Sequence, residues 1–328
     1  MARPTSPAES TPSRTVTPVT YRRITLAVLV TQVLIVMSGA AVRLTGSGLG
    51  CSDWPRCEQD RFVPATDYNA LIEFANRVVS LPVLVAVVLA IWGAARRRPY
   101  RPELRNLSWA LLGGVVVQIL LGAVVVRLEL LPSTVIFHFL ISMVLIALAI
   151  ALHHAAGRDL PGQVGTDEPS GDVDRTWGTG LSSTLIAPLG VLAAAVLVAG
   201  TVVTAAGPHG GDETAERLPV FLPTATQVHS LVAWAFLAVL VIVVVSLRRE
   251  RAPESVQRAG SLLLAACLVQ GGIGYVQYWN GVPAGLVFLH VVGSMAVWGL
   301  TVWLVLEHRR LAAPAGAASA IDATEVGP

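Results

Sequence analysis

The sequence contains no lysine and has little charge of either sign. All 23 basic residues are arginine, and charged residues make up 13% of the chain, whereas 54% of it is hydrophobic. A soluble domain rarely has so little charge, so the composition excludes an ordinary soluble protein. Almost all of the arginines lie in the connections between apolar runs, which marks them as topology signals and gives no support to nucleic-acid binding.

Apolar runs of about 20 residues recur along the chain, and a helix of that length crosses a hydrocarbon core of roughly 30 Å. Such helices also satisfy their own backbone polar groups inside the lipid bilayer. We therefore predict an all-α integral membrane protein. The eight predicted transmembrane helices cover residues 24–42, 71–95, 107–127, 134–154, 184–206, 225–247, 260–279 and 284–306.

The arginines are distributed unevenly between the two sides of the predicted membrane. Seventeen lie in the termini and one alternating set of connections, five lie in the other set, and Arg77 lies inside a span. The positive-inside rule therefore places both termini in the cytoplasm. We predict a multi-pass protein of a bacterial cell (plasma) membrane, with disordered cytoplasmic tails at residues 1–22 and 309–328 and a polar cytoplasmic linker at residues 155–183.

The chain contains an internal repeat of four helices. A shift of 152 residues aligns spans 3 and 4 with spans 7 and 8, and a shift of 153 aligns span 2 with span 6. The aligned pairs are Gln118 with Gln270, Gly122 with Gly274, His138 with His290 and Asn76 with His229. We therefore predict two pseudo-symmetric four-helix bundles, at residues 23–154 and 184–308, related by an axis along the membrane normal.

Three histidines lie a few residues inside predicted spans. His138, His229 and His290 are at similar depth on helices that run in the same direction. Polar residues at such depth usually face the bundle interior, where one alternative is an interhelical hydrogen bond that only holds helices together. A matched pair on neighbouring parallel helices favours shared ligation of haem iron, whereas zinc would need further ligands of matching type.

The two halves differ in the residues at this depth. The second half has the complete pair His229 and His290, whereas the first half has Asn76 in place of one histidine. Because asparagine is a poor iron ligand, a first-half haem site would have an open position suited to chemistry. Glu73 and Arg77 share a helix face with Asn76. They form a local ion pair, or Glu73 acts at the open position as an acid, a base or a stabiliser of cationic charge.

Two of the three cysteines, Cys51 and Cys57, lie in the first loop outside the membrane. That side is oxidising in a bacterium, so we expect them to form a disulfide. Cys267 lies within the seventh span and is expected to be a small packing residue.

Several stretches resemble the haem A synthase (CtaA/Cox15) family. Residues 45–57, TGSGLGCSDWPRC, are similar to that family's first outside loop, and residues 73–77, EFANR, are similar to its Glu-x-x-His-Arg motif. The Gly-Pro-His turn at residues 207–209 and the three histidines inside the spans also match. Asn76 stands where the motif has histidine, which is typical of the actinobacterial members.

The resemblance implies an enzyme, an oxidoreductase acting on CH groups. Such enzymes oxidise the C8 methyl of haem O to a formyl group, which makes haem A for cytochrome c oxidase. The resemblance also implies haem O synthase as a partner that delivers the substrate.

The resemblance further implies a role for particular residues. A permanent haem b would be held between His229 and His290, and the cysteines at 51 and 57 would have a redox or transfer role. The residues implied at the substrate haem O site are Glu73, Asn76, Arg77 and His138.

Two other functions use a helical bundle with a repeat. A di-haem cytochrome that transfers electrons from quinol would need four histidine ligands and no unpaired carboxylate, so Asn76 and Glu73 count against it. A transporter would have broken helices and charged groups near the bilayer midplane, whereas the polar residues here lie near the outer surface. The electron donor and the oligomeric state do not follow from the sequence.

Overall fold

The structure, a computed structural model, describes residues 15–64, 66–160 and 178–312. These residues form eight helices, each long and apolar enough to cross a membrane. The helices are α1 (Pro18–Leu44), α2 (Tyr68–Arg96), α3 (Pro102–Arg127), α4 (Pro132–Gly157), α5 (Leu181–Ala206), α6 (Leu222–Arg249), α7 (Glu254–Trp279) and α8 (Ala284–Ala312). The predicted all-α membrane fold is therefore confirmed.

Most of the helices extend beyond the predicted spans. Helix α1 begins at Pro18, after Thr17, whose side chain accepts a hydrogen bond from the Thr20 N–H, so residues 18–22 are helical rather than part of a tail. At the other terminus α8 continues to Ala312. Arginine is tolerated on such extensions because its long side chain reaches the polar interface. Residues 1–14, 161–177 and 313–328, most of the predicted tails and linker, lie outside the described residues.

Each half closes into a four-helix bundle of its own. In the first half α1 and α3 both pack against α2 and α4, and in the second half α5 and α7 both pack against α6 and α8. The halves meet through α4 and α8, and the flanking contacts α1–α8 and α4–α5 are equivalent under the repeat. Two pseudo-symmetric bundles were predicted, and this packing confirms them.

Methionines at equivalent positions of the repeat lie where the bundles meet. Met143 of α4 and Met295 of α8 belong to one apolar cluster, which is separate from the apolar core of each bundle. The Trp298 indole N–H crosses this boundary and donates to the Met143 carbonyl at 2.8 Å. The interface is therefore built from the same sequence positions in both halves.

The two ends of the molecule differ in character. The basic end carries the start of α1 and the end of α8 together with most of the arginines, for example Arg22, Arg158 and Arg258. The loop end carries the short turns 128–131 and 280–283 and the long connections 45–67 and 207–221.

The long connections at the loop end are tied to each other across the two halves. The Arg43 guanidinium, at the end of α1, donates to the carbonyls of His209 (2.7 Å) and Thr204 (3.0 Å). The Gly48 N–H donates to the Gly211 carbonyl at 2.7 Å. The first long connection is therefore fixed against the second half as well as against its own helices.

Candidate functional site

A disulfide covers the start of α2 at the loop end. Cys51 and Cys57 are bonded, with their Cα atoms 4.5 Å apart, as predicted. Both are buried and pack with Ala70 and Phe74 of α2. Gly50 permits this close approach, because a Cβ there would lie 2.4 Å from the backbone carbon of Asn69.

Glu73 and Arg77 connect α2 to the disulfide loop. The two side chains form an ion pair of 2.5 Å, and the second oxygen of Glu73 accepts the Cys51 N–H at 2.8 Å. The Arg77 guanidinium also donates to the carbonyls of Asp53 and Arg56, both at 2.8 Å. The local ion pair considered from the sequence is present, and it also anchors the loop.

Asn76 faces α1 rather than the loop. Its side-chain oxygen accepts a hydrogen bond of 2.7 Å from the Ser38 hydroxyl. This position in α2 is equivalent to that of His229 in α6, so the first bundle places an amide where the second has an imidazole.

A glycine on the preceding helix lies beside Asn76 and beside each of the three histidines inside the spans. The nearest side-chain atoms to an ideal Cβ on each glycine are Asn76 Oδ1 at 3.9 Å from Gly39, His138 Cε1 at 3.7 Å from Gly122, His229 Cε1 at 3.1 Å from Gly200, and His290 Cε1 at 3.1 Å from Gly274. Because glycine has no Cβ, each glycine leaves room for the neighbouring side chain. The distances are shortest in the second half, so the glycines matter most there.

Two glutamines occupy equivalent positions beside the histidines. Gln118 donates to the His138 carbonyl at 3.0 Å, and Gln270 donates to the His290 carbonyl at 2.8 Å. Gln118 also donates to the Ser142 hydroxyl. These amides fix the backbone that carries each histidine.

His229 and His290 approach each other across the second bundle. Their helices lie diagonally, with no direct backbone contact between α6 and α8, yet the ring centres are 6.4 Å apart with the planes at 77°. Metal–nitrogen distances of about 2 Å place two opposed imidazole rings about 6 Å centre to centre. The spacing therefore fits two axial ligands on one iron.

The same histidines have ring nitrogens without structural partners. Nδ1 of His138, His229 and His290 is buried and lacks a hydrogen bond of normal geometry within the described residues, although the Val196 carbonyl interacts with the His229 ring. In the second half this nitrogen faces the preceding helix, since Nδ1 lies 3.5 Å from an ideal Cβ on Gly200 for His229 and 3.6 Å from one on Gly274 for His290. Iron ligation would therefore use the other ring nitrogen, Nε2.

The described residues contain no group of side chains of the kind that binds zinc. Among these residues, no group of three or more His, Cys, Asp or Glu side chains is placed to hold a metal ion. Structural and catalytic zinc sites use at least three protein ligands.

Sequence reasoning missed three features of the site. It did not identify Ser38 as the partner of Asn76, the role of the two glutamines, or the cross-link from Arg43 to the second half. The aligned glutamines and glycines of the repeat were the only signal, and their contacts became clear only from the packing.

Comparison with known proteins agrees with this architecture. Residues 22–302 match the COX15-CtaA family, which is described as cytochrome oxidase assembly protein. The matched range covers most of the chain and includes every residue of the candidate site.

Several curated relatives are similar to parts of the chain. A protein of Symbiobacterium thermophilum named "Heme A synthase" is 35% identical over 139 residues, which is 42% of this chain and 45% of that protein. Another of that name from Alkalihalophilus pseudofirmus is 30% identical over 144 residues, 42% of this chain and 48% of that protein. A "Protoheme IX farnesyltransferase" of Thermus thermophilus is 38% identical over 98 residues, 29% of this chain and 16% of that protein.

The matched stretches span less than half the length of these heme A synthase relatives. The family match is more extensive, since it runs from α1 into α8. The chain therefore belongs to the COX15-CtaA family of cytochrome oxidase assembly proteins.

Proposed function

We propose that the protein is a haem A synthase, which oxidises the C8 methyl of haem O to a formyl group and so makes haem A for cytochrome c oxidase. The main support for the proposal is that two otherwise similar bundles differ in the polar residues at equivalent positions. The second has the facing pair His229 and His290, whereas the first combines His138 with Asn76 and the buried carboxylate of Glu73. Family membership and the names of the relatives also support it.

In this proposal the second bundle holds the resident cofactor. His229 and His290 would hold haem b through its iron, and Gly200 and Gly274 provide the space for their rings. When bound, haem b supplies one-electron transfer to the neighbouring bundle. Gln270 keeps the His290 backbone in place through its 2.8 Å hydrogen bond.

The first bundle holds haem O as substrate. His138 would be the single strong ligand for its iron, because an amide such as that of Asn76 binds iron poorly. Glu73, which is bonded to the disulfide loop through the Cys51 N–H, would stabilise positive charge that develops at the reacting methyl or accept the released proton.

The disulfide loop serves as a cover over this site. Arg77 holds the loop through two carbonyls and forms an ion pair with the Glu73 carboxylate. A fixed cover excludes water, which strengthens electrostatic stabilisation of the reacting group. Cys51 and Cys57 have a redox or transfer role at this entrance.

The proposed orientation places both termini in the cytoplasm of a bacterial cell. The distribution of arginine between the two ends supports this orientation through the positive-inside rule. Haem O synthase is the proposed delivery partner, because it is the enzyme that makes haem O.

Pigment extraction from the purified full-length protein tests the proposed function. We expect haem B together with haem O or haem A, and loss of the low-spin haem b spectrum in His229→Ala. His153→Ala, at the basic end, is the control and should keep that spectrum. Haem B alone at two per chain would instead indicate a di-haem cytochrome that transfers electrons from quinol.

A further inference from the structure

A cavity of about 580 Å³ opens at the basic end, where the two bundles meet. We call it the basic cleft. The first half contributes Arg22 of α1 and Arg158 next to the end of α4, and the second half contributes Arg258 of α7 and Arg310 of α8. It lies at the opposite end of the helices from the disulfide loop, so the proposed reaction does not use it.

The wall of the basic cleft is held together by a buried glutamate. Glu307 accepts a hydrogen bond from Arg310 at 2.8 Å and lies 2.8 Å from the ring nitrogen Nε2 of His154 in the other half. Ser255 of α7 lies beside Glu307, and Trp303 packs edge-on against His154 with ring centres 4.9 Å apart. This carboxylate is fully engaged by its neighbours.

The remaining charge of the basic cleft is positive. Its lining contains four arginines and two glutamates, Glu254 and Glu307, which leaves an excess of two positive charges with histidine neutral. Among the described residues, neither Arg22 nor Arg258 forms an ion pair. Two arginines without a carboxylate partner attract an anion from outside the chain.

Two further atoms of the lining residues lack partners. Nε of Arg158 and Nδ1 of His154 are buried and have no hydrogen bond within the described residues. Arg158 does pair with Glu103, but at 3.4 Å and with a half-exposed partner, so this ion pair is weak. The guanidinium of Arg22 lies over the end of α4, 3.4 Å from an ideal Cβ on Gly157.

We propose that the basic cleft binds the phosphate of an anionic phospholipid. Guanidinium groups bind phosphate oxygens in pairs, and basic pockets between transmembrane helices suit lipid headgroups. One side of the cleft is apolar, formed by Ala259, Leu262 and Leu300. Leu262 is exposed on the outer surface of α7, so the cleft is open towards the bilayer, where the glycerol and the first acyl carbons can lie.

This lipid connects the two halves at the basic end. Because the phosphate contacts arginines from both bundles, its binding favours the docked arrangement and raises the apparent stability of the whole chain. A free anion would gain nothing from the apolar side of the basic cleft.

Native mass spectrometry of the detergent-purified full chain tests the proposal. We expect retention of phosphatidylglycerol over phosphatidylcholine, with about tenfold weaker retention in the double variant Arg22→Ala/Arg258→Ala. Arg248→Ala/Arg249→Ala is the matched control, since both arginines are exposed at the same end and lie outside the cleft lining. The control should retain phosphatidylglycerol as the unmodified chain does.

The lysine double variant Arg22→Lys/Arg258→Lys keeps the charge and should recover most of the binding. If the alanine variant does not fold, the lysine variant still measures how binding depends on the charge at these two positions. Equal loss in the control pair, or equal retention of phosphatidylcholine, would overturn the proposal, because binding would then be general. Competition by inorganic phosphate at equal concentration would also overturn it in favour of a free-anion site.

Discussion

The backbone N–H of Cys51 donates a hydrogen bond of 2.8 Å to Oε2 of Glu73. The same carboxylate pairs with Arg77 through its other oxygen, and Arg77 in turn holds two carbonyls of the loop. The disulfide loop and the buried carboxylate are therefore one structural unit. A change in the loop alters the surroundings of the group that we propose to act on the substrate.

Replacing Glu73 with glutamine removes the charge with little change of shape. The glutamine oxygen can still accept the Cys51 N–H, but it can neither stabilise a developing positive charge nor accept a proton. We expect an unchanged haem b spectrum and haem A formation reduced by about 10²-fold or more, measured by pigment extraction from membranes. Glu103→Gln, a half-exposed carboxylate at the basic end, should keep full activity, and full activity in Glu73→Gln would contradict the role of Glu73.

Replacing Arg77 with alanine leaves the Glu73 charge buried without its partner. The two side chains are only 15% and 6% exposed, and removing one partner of a buried pair costs about 3–5 kcal/mol, less what the Cys51 hydrogen bond retains. We expect a lower Tm and faster reduction of the Cys51–Cys57 bond by an added phosphine, followed by thiol alkylation. Arg61→Ala, an exposed residue of the same loop, should leave the reduction rate unchanged. An unchanged rate in Arg77→Ala would show that the loop is held without it.

The hydropathy pattern and the repeat predicted the helices and the two bundles, because both depend on residue type and spacing alone. The network around Glu73 could not be predicted in the same way. The Arg77 guanidinium bonds to backbone carbonyls of Asp53 and Arg56, and any residue type supplies such a carbonyl. The start of α1 at Pro18 was missed because Arg22 and Arg23 interrupt the apolar run, whereas the helix continues past them towards the N-terminus.

The glycine beside His290 provides a test of haem ligation in the second bundle. An added Cβ at Gly274 would lie 3.1 Å from the imidazole, so the ring must move by a few tenths of an ångström. We expect Gly274→Ala to lower the haem b content and to change the electron paramagnetic resonance signal of the low-spin iron. Gly272→Ala on the same helix has open space at its Cβ, and it should keep both properties. Equal behaviour of the two variants would argue against His290 as a ligand.

Asn76→His tests whether the two bundles differ through this single ligand position. Asn76 is equivalent to His229, and Gly39 lies beside it as Gly200 lies beside His229, with an ideal Cβ on Gly39 3.9 Å from the Asn76 oxygen. The glycine that accommodates the imidazole in the second bundle therefore has a counterpart in the first, although an imidazole at position 76 gives up the Ser38 hydrogen bond.

We expect Asn76→His to retain haem O more strongly and to convert its iron to a low-spin form, visible as a second low-spin spectrum beside haem b. The Ser38→Ala variant separates the effect of the added imidazole from that of the lost Ser38 hydrogen bond. It frees the Asn76 oxygen without adding a ligand, and it should leave the substrate haem spectrum unchanged. If Asn76→His binds haem O as a single-histidine site does, position 76 does not face the iron. The substrate would then lie elsewhere in the first bundle.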